Sequence, residues 1–231
     1  MSRTDPLRFA VTATDTGVGK TSASMALLSL LVKRGERPFA FKPYESGLTP
    51  GAESDSEKLW RAAGQWQPKE TVCLHRFREP VAPGIAARRE SRSPSWALTV
   101  KTFKTFTGPG VVEGAGGLHV PLDSRHDVID LLRAVQLPVI VIARAGLGTI
   151  NHSTLTLNAL LAAGLHPVAL VLNHATPGKP DASVRDNRAE LQRRFTRVPI
   201  LGPVPFQARE SARTRAFEQV LTELIENRLR R

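Results

Sequence analysis

Short runs of consecutive apolar residues alternate along the chain with longer segments in which apolar positions recur at helical spacing. The short runs predict strands at residues 8–13, 38–42, 110–113, 138–143, 167–173 and 198–204. The longer segments predict helices at residues 21–34, 54–63, 95–106, 127–135, 151–163, 182–195 and 210–228. Because apolar strands separated by helices are typical of a parallel sheet covered on both faces, the pattern predicts an α/β fold with ligands bound at the carboxyl ends of the strands.

Composition narrows the class of protein. The chain has 231 residues, of which 41% are apolar and 23% charged, so it is neither disordered, collagen-like nor a coiled coil. This length suits one domain over residues 1–231. The lone Cys73 excludes an internal disulfide and is typical of a reducing compartment. No apolar run approaches the roughly 18 residues of a membrane span, and the start MSRTDPLRF lacks a signal-peptide core, so we expect a cytoplasmic protein without a membrane partner.

The net charge of +11, from 32 basic and 21 acidic side chains, allows two interpretations. A basic surface attracts nucleic acid and other polyanions. The arginines are scattered, however, and no aromatic stacking platform or base-reading motif accompanies them. Solvated helix faces explain the arginines better, and a basic protein also suits an anionic nucleotide. We therefore expect no nucleic-acid partner.

A glycine-rich segment, ATDTGVGKTS, joins the first predicted strand to the first predicted helix. Such a turn directs backbone N–H groups and the positive end of the helix dipole at one point, which is a site for phosphate. Lys20 supplies a mobile charge for the β- and γ-phosphates, and the Thr21 hydroxyl is placed to hold Mg²⁺. Thr14 stands where the common pattern has glycine, so the loop is one residue longer. Ordinary turn glycines are the alternative, but the order of strand, loop and helix favours nucleotide binding.

Three more charged residues follow predicted strands or begin a predicted helix. Lys42 ends the second strand, at the edge of the sheet where the phosphate loop lies, and can stabilise charge on a transferring phosphoryl group. Glu113 ends the third strand beside GAGG, which suits a Mg²⁺ ligand. Asp55 lies at the start of a helix. The alternatives are a surface lysine, a turn glutamate and a first-turn aspartate that only complements the helix dipole.

Seven segments occur in the order found in dethiobiotin synthetases, and the chain resembles this family from residue 9 to residue 205. The segments are TATDTGVGKT, FKPYESG, ESDSEKL, REPVAPGIAA, VEGAGGLHVPL, ARAGLGTINHSTLT and LVLNHATP. The ATP-dependent amidoligases of cobyrinate synthesis have a similar loop followed by a glutaminase domain, for which this chain has no room. The resemblance implies a single-domain P-loop NTPase fold, with a mostly parallel sheet and helices on both faces.

The resemblance also implies an activity, that of an ATP- and Mg²⁺-dependent ligase of biotin biosynthesis. Such an enzyme joins CO₂ to 7,8-diaminononanoate and closes the ureido ring of dethiobiotin, releasing ADP and phosphate. One amine takes up CO₂ as a carbamate, the carbamate oxygen attacks the γ-phosphate, and the second amine displaces phosphate. Mg²⁺ is the implied cofactor, and ATP is the implied co-substrate.

Each implied role belongs to particular residues of this chain. Those implied to bind ATP are Asp15, Thr16, Gly17, Val18, Gly19, Lys20, Thr21, Asn173 and Pro205, with Asn173 reading adenine. The residues implied for catalysis are Thr16, Lys20 and Lys42. The residues implied to bind the metal are Thr21, Asp55 and Glu113. The residues implied to bind the diamine are Ser46, Gly116, Gly148, Thr149 and Asn151. Family members are homodimers in which residues 148–152 complete the neighbour's site. From the segment alone, Asn151 is equally well explained as a helix N-cap.

Two residues depart from the family pattern, and two other functions stay open. Ala13 replaces the glycine that usually opens the loop, which costs little if its φ is negative. Tyr44 stands where a small aliphatic residue is usual and is expected to reshape the diamine pocket. The other functions are a related P-loop amidoligase with a different substrate and a partitioning-type switch ATPase that binds DNA. Such switches usually carry an additional lysine early in the loop, where this chain has TDTGV.

Overall fold

A six-stranded sheet forms the centre of the computed structural model, which describes residues 6–178 and 182–229. The strands within these residues are β1 (Arg8–Ala13), β2 (Phe39–Phe41), β3 (Tyr44–Glu45), β4 (His75–Arg76), β5 (Gly110–Glu113), β6 (Val139–Arg144), β7 (Pro167–Asn173) and β8 (Ile200–Val204). Strands β2, β5, β1, β6, β7 and β8 are neighbours in that order, and all their pairings are parallel. Strands β3 and β4 form a separate parallel pair.

Helices follow most strands, as expected when parallel strands need crossover connections. They are α1 (Lys20–Lys33), α2 (Asp55–Ala62), α3 (Pro83–Arg89), α4 (Trp96–Thr105), α5 (Val128–Val135), α6 (Thr149–Ala162), α7 (Val184–Arg194) and α8 (Glu210–Leu229). A short 3₁₀-helix covers Lys69–Thr71. None of these helices is both long enough and apolar enough to cross a membrane.

The core consists of two apolar layers, one on each face of the sheet. Successive strand residues point to opposite faces, so Ile140 packs with helices α1, α2 and α8, and its neighbour Val141 packs with α4, α5, α6 and α7. Both residues are fully buried. Burial on both faces explains why these strands have continuous apolar sequences with no polar alternation.

The strand register brings distant residues together at the carboxyl edge of the sheet. Val11 of β1 pairs with Glu113 of β5, and Phe41 of β2 pairs with Val112 of β5. Lys42 directly follows Phe41 and therefore lies level with Glu113. The loop after β1 emerges at the same edge, so the register places the phosphate loop, Lys42 and Glu113 next to one another.

The structure confirms the predicted α/β class, the parallel sheet and the helices on both faces. It adds β3, β4 and α3, which the apolar pattern did not predict because two-residue strands and a seven-residue helix are too short for a repeated pattern to stand out. Helix α6 begins at Thr149, two residues before the predicted start. The predicted domain of residues 1–231 includes residues 1–5, 179–181 and 230–231, which lie outside the described residues, so its extent stays a prediction.

Candidate active site

The loop between β1 and α1 is held in a conformation that requires glycine at two positions. Gly17 and Gly19 have φ values of +75° and +109°. A Cβ atom at Gly19 would lie 2.6 Å from Nδ2 of Asn173, so the loop also needs the absence of a side chain there. Ala13 is the last residue of β1 and has no positive φ, so it meets the condition under which alanine costs little at this position.

Lys20, the first residue of α1, bends back over this loop. Its Nζ donates to the backbone oxygen of Asp15 at 3.2 Å, and the residue is only 8% exposed. Burial lowers the pKa of Lys20 to about 8. An anionic phosphate beside Nζ would offset this cost of burial by stabilising the charged form.

The two carboxylates predicted to bind metal meet at Thr21. Its Oγ1 lies 3.0 Å from Oδ2 of Asp55 and 3.0 Å from Oε1 of Glu113. Lys42 Nζ donates to the same Glu113 oxygen at 2.6 Å and lies 3.6 Å from Asp55 Oδ2. Burial lowers the pKa of Lys42, but the Glu113 carboxylate and then Asp55 raise it, so the net pKa lies above the usual lysine value. Lys42 is therefore a buried cation.

This cluster has the properties expected of a Mg²⁺ site. Thr21 has one hydroxyl proton for two carboxylates, so it cannot donate to both at once. Among the described residues, Glu113 Oε2 has no hydrogen-bond partner although it is buried. Two carboxylates and a hydroxyl fit Mg²⁺, which usually takes its remaining ligands from water and phosphate. Residues 6–178 and 182–229 contain no cluster of three or more His, Cys, Asp or Glu residues that could form an all-protein metal cage.

A cavity of about 610 Å³ opens above the loop and this cluster. Its lining includes these residues implied by the resemblance: Thr16, Gly17, Gly19, Lys20, Thr21, Lys42, Ser46, Asp55 and Gly116. Gly116 lies close to Thr16, since a Cβ atom at Gly116 would lie 3.3 Å from the Thr16 hydroxyl. The structure thus brings the loop, the second lysine and part of the predicted diamine site into one cavity.

The start of α6 lies elsewhere. Gly148, Thr149 and Asn151, all in the described part of the chain, are not among the residues that line this cavity. Gly148 is the N-cap of the helix, so the N-cap alternative for Asn151 is wrong. Asn151 is instead exposed in the first turn. Thr149 is fully buried, its hydroxyl lies 3.2 Å from the Ser153 hydroxyl, and its backbone N–H donates to the Gly146 oxygen at 3.3 Å, so both groups already have partners.

The residues predicted at the adenine end lie on neighbouring strands. Asn173 ends β7, is 3% exposed and donates from Nδ2 to the backbone oxygen of Val18 at 2.8 Å. This bond fastens the phosphate loop to β7. Pro205 directly follows β8 and is exposed. Adenine recognition by Asn173 and Pro205 stays a prediction.

Tyr44, the second departure from the family pattern, packs mainly away from the cavity. It is 1% exposed, its hydroxyl lies 3.2 Å from the Thr99 hydroxyl, and its ring lies 4.6 Å from the His75 ring. Burial raises the pKa of Tyr44 to about 12, so it is a neutral phenol. Tyr44 also belongs to the cavity lining, together with its chain neighbours Lys42 and Ser46.

Several cavity residues were missed by the sequence analysis. Lys58, Glu210 and Arg213 line the mouth, where Lys58 Nζ lies 3.4 Å from Glu210 Oε2 and links α2 to α8. Glu45 lines the wall and accepts a 2.6 Å bond from the backbone N–H of Asp55. A signal for Glu45 was present, because a charged residue lies in FKPYESG between two predicted site residues. Nothing local pointed to Glu210, which lies far along the chain.

The fold and the site define a P-loop nucleotide-binding protein. Residues 8–214 match the family model described as AAA domain. The chain is 43% identical over 219 residues to the ATP-dependent dethiobiotin synthetase BioD of Anaeromyxobacter sp. (strain K), covering 94% of this chain and 97% of that protein. It is 36% identical to the protein of the same name from Bacillus licheniformis, covering 85% of each. The chain belongs to the family of ATP-dependent dethiobiotin synthetases.

A solved structure supports the fold assignment. The chain is similar to a plasmid partition protein from Borrelia burgdorferi bound to AMPPNP, with a TM-score of 0.56 and 12% sequence identity, covering 96% of this chain and 99% of that chain. At this identity the likeness concerns the fold alone. It therefore gives no support to a partitioning function, although it places this chain in the same fold class.

Proposed function

We propose that the chain makes dethiobiotin from 7,8-diaminononanoate, CO₂ and ATP in a Mg²⁺-dependent reaction of biotin biosynthesis. The observation that carries the proposal is the meeting of Lys20, Lys42 and the Thr21–Asp55–Glu113 cluster at the mouth of a phosphate loop. The substrates are inferred from family membership, and the side chains in the cavity suit the chemistry of each step.

The proposed reaction balances over three steps. One amine of the diamine adds to CO₂ and loses a proton, giving a carbamate. A carbamate oxygen attacks the γ-phosphorus of ATP, the bond to ADP breaks, and a carbamic–phosphoric anhydride forms. The second amine attacks the carbonyl carbon, loses one proton and expels phosphate, which closes the five-membered ureido ring. No protein nucleophile is needed, so positioning and charge stabilisation are the tasks left to the protein.

Lys20 and Lys42 provide the positive charge for these steps. Both are buried, which strengthens their interaction with the charge that develops on the transferred phosphoryl group. Lys20 extends over the phosphate loop from α1, and Lys42 reaches the cavity from the end of β2. Thr16 lies in the phosphate loop and lines the same cavity, with its hydroxyl close to Gly116. This hydroxyl is suited to hold the carbamate or the γ-phosphate.

Thr21, Asp55 and Glu113 would hold Mg²⁺, which supplies positive charge to the β- and γ-phosphates when it is bound. The shared Thr21 hydroxyl and the unpartnered Glu113 Oε2 support this assignment. Lys42 already compensates Glu113. The cluster therefore offers two carboxylates and one hydroxyl beside the phosphate loop.

The two ends of the substrates are assigned to different places, the diamine to the cavity and adenine to the ends of β7 and β8 outside its lining. Ser46 and Gly116 line the wall beside Lys42 and are suited to the diamine. Asn173 and Pro205 lie beyond the loop, at the ends of β7 and β8, and are proposed to contact adenine. The phosphate chain would then run along residues 15–21.

We also propose that the enzyme is a homodimer in which residues 148–152 complete the diamine site of the neighbouring subunit. Two observations support it. These residues lie outside the cavity of their own chain, and the surface beside them is apolar, with Leu147 78% exposed and Leu155 61% exposed. Covering this surface with a second copy would bury both leucines and bring the start of α6, whose dipole favours an anion, to the substrate carboxylate.

Phosphate release from ATP tests the proposed function directly. The purified protein should release phosphate when diamine and bicarbonate are both present, with one dethiobiotin formed per phosphate. Either compound alone should give only background. Stimulation by DNA without diamine would instead support the switch ATPase, and stimulation by another amine with bicarbonate would support a related ligase.

A further inference from the structure

Glu45 is a buried carboxylate that none of the proposed catalytic steps uses. It lies in β3, between Tyr44 and Ser46, and is 5% exposed. Its backbone is fixed by pairing with Arg76 of β4. The Phe77 N–H also donates to the Glu45 backbone oxygen at 2.8 Å. A buried charge is costly unless it is well bonded, so the partners of this carboxylate indicate its role.

Those partners all lie in the first turn of α2. Glu45 Oε1 accepts from the Asp55 backbone N–H at 2.6 Å. Glu45 Oε2 accepts from the Ser56 hydroxyl at 2.5 Å, and the Ser56 N–H lies 3.3 Å from both carboxylate oxygens. The helix dipole adds to these bonds, because it favours a negative charge at this end. The carboxylate therefore accepts from three donors of this helix turn.

Glu45 also holds the backbone of Asp55, whose side chain reaches Thr21 Oγ1 at 3.0 Å. Asp55 does not depend on Glu45 for capping, since Ser54 and Glu57 already form a capping box at this helix start. The contact with Glu45 instead connects α2 to the segment that carries Lys42 and Ser46. This carboxylate thus joins two parts of the site that are separate in the chain, in addition to the ion pair in which Lys42 Nζ lies 3.6 Å from Asp55 Oδ2.

We infer that Glu45 is a positioning residue for the metal site, holding Asp55 at the distance from Thr21 and Glu113 that a divalent cation needs. This inference rests on the proposed function, because it takes Asp55 as a Mg²⁺ ligand. Partners of metal ligands commonly affect metal affinity strongly, since a ligand displaced by a fraction of an ångström no longer completes the coordination geometry.

The test measures metal binding without turnover. ADP carrying a fluorescent N-methylanthraniloyl group is bound to the protein, Mg²⁺ is titrated, and free Mn²⁺ is followed by electron paramagnetic resonance in a parallel titration. Glu45→Gln should raise the half-saturating concentration of either cation about tenfold, with nucleotide affinity in EDTA unchanged. Ser56→Ala keeps the carboxylate and loses one bond, so its shift should be smaller.

Glu57→Gln is the matched control. Glu57 lies in the same helix turn, accepts from the Ser54 N–H at 2.8 Å and pairs with Lys69 at 2.6 Å, with no contact to the Asp55 N–H among these bonds. The Glu57→Gln substitution should weaken α2 but leave the bond between Glu45 and the Asp55 N–H in place. The metal titration of this variant should therefore match that of the wild type even if its melting temperature falls.

Two results would overturn the inference alone: a Glu45→Gln titration that superimposes on the wild-type curve, or an equal shift in Glu57→Gln. If the wild-type protein itself shows no effect of Mg²⁺ on nucleotide binding and no bound Mn²⁺, the proposed metal site fails and the role of Glu45 fails with it.

Discussion

At the scale of single residues, the site is organised around one buried ion pair. Lys42 and Glu113 lie 71 positions apart in the chain, and their charged atoms are 2.6 Å apart. Both side chains are almost fully buried. Such a pair contributes little net stability, because desolvation offsets the attraction, but loss of one partner leaves an uncompensated charge. The pair is therefore better explained by function than by stability.

Lys20→Ala should abolish turnover while the protein stays folded. The side chain acts on phosphate charge, and burial already makes its charged form costly, so its removal should leave the melting temperature unchanged or slightly higher. We expect turnover to fall by a factor of about 10² to 10³ or more, measured as phosphate release at saturating ATP. Turnover near the wild-type rate in a folded variant would exclude the proposed mechanism.

Lys42→Ala should suppress turnover and also destabilise the nucleotide-free protein. Glu113 would lose its closest cation, at a cost of about 3–5 kcal/mol in the free energy of unfolding. Mg²⁺ should restore part of this loss, since it would compensate the same carboxylate, so the melting temperature of the variant should rise with Mg²⁺ more than that of the wild type. ATP affinity should change less than turnover. A variant that loses ATP affinity and keeps its turnover number would make Lys42 only a nucleotide contact.

At the scale of elements, the phosphate loop is clamped between β7 and α8. Gly19 lies where a side chain would meet Asn173 of β7 at 2.6 Å and Phe217 of α8 at 3.2 Å. The Asn173 side-chain amide also donates a hydrogen bond to the backbone oxygen of Val18 in this loop. The loop conformation therefore depends on two elements that follow it in the chain by more than 150 positions, and not on its own glycines alone.

Gly19→Ala should damage nucleotide binding far more than Gly17→Ala. Both glycines have positive φ, which costs an alanine roughly 1–2 kcal/mol, but nothing lies within 4 Å of a Cβ atom at Gly17. Only the Gly19 substitution displaces Asn173 and the loop. Titration with a fluorescent ATP analogue should show a loss of tenfold or more for Gly19→Ala, beyond any loss in Gly17→Ala. Equal losses would mean that φ strain alone controls the loop.

At the scale of the whole molecule, this chain contains the ATP half of the proposed site and only part of the proposed diamine half. The start of α6 lies outside the cavity, next to two exposed leucines. A homodimer explains both observations. It also predicts that activity depends on protein concentration wherever the dimer dissociates.

Asn151→Asp should raise the KM for the diamine much more than the KM for ATP. The new negative charge would repel the substrate carboxylate at the start of the neighbour's α6. Sedimentation of the wild type should give a dimer. A fully active monomer, or an unchanged diamine KM in Asn151→Asp, would contradict the proposed arrangement.

Much of the site was predictable because its functional residues lie in short, recognisable segments of the sequence. Lys20 and Thr21 follow a strand and a glycine-rich turn, and Lys42 and Glu113 end strands, so their position at one edge of a parallel sheet followed from the pattern alone. The start of α6 was predicted two residues late, because Gly148 caps the helix through a positive φ that the sequence does not display.

The sequence by itself determined the order of strands and helices, the phosphate loop and the family, since each depends on residues close together in the chain. Only the tertiary structure decided that Thr21 lies between Asp55 and Glu113, and that Glu45 holds the first turn of α2. These contacts join segments that are far apart in the chain, and they depend on strand register and on the path of the chain between β3 and α2. Local periodicity carries no information about either, because the free energy that fixes them comes from burial and pairing across the whole sheet.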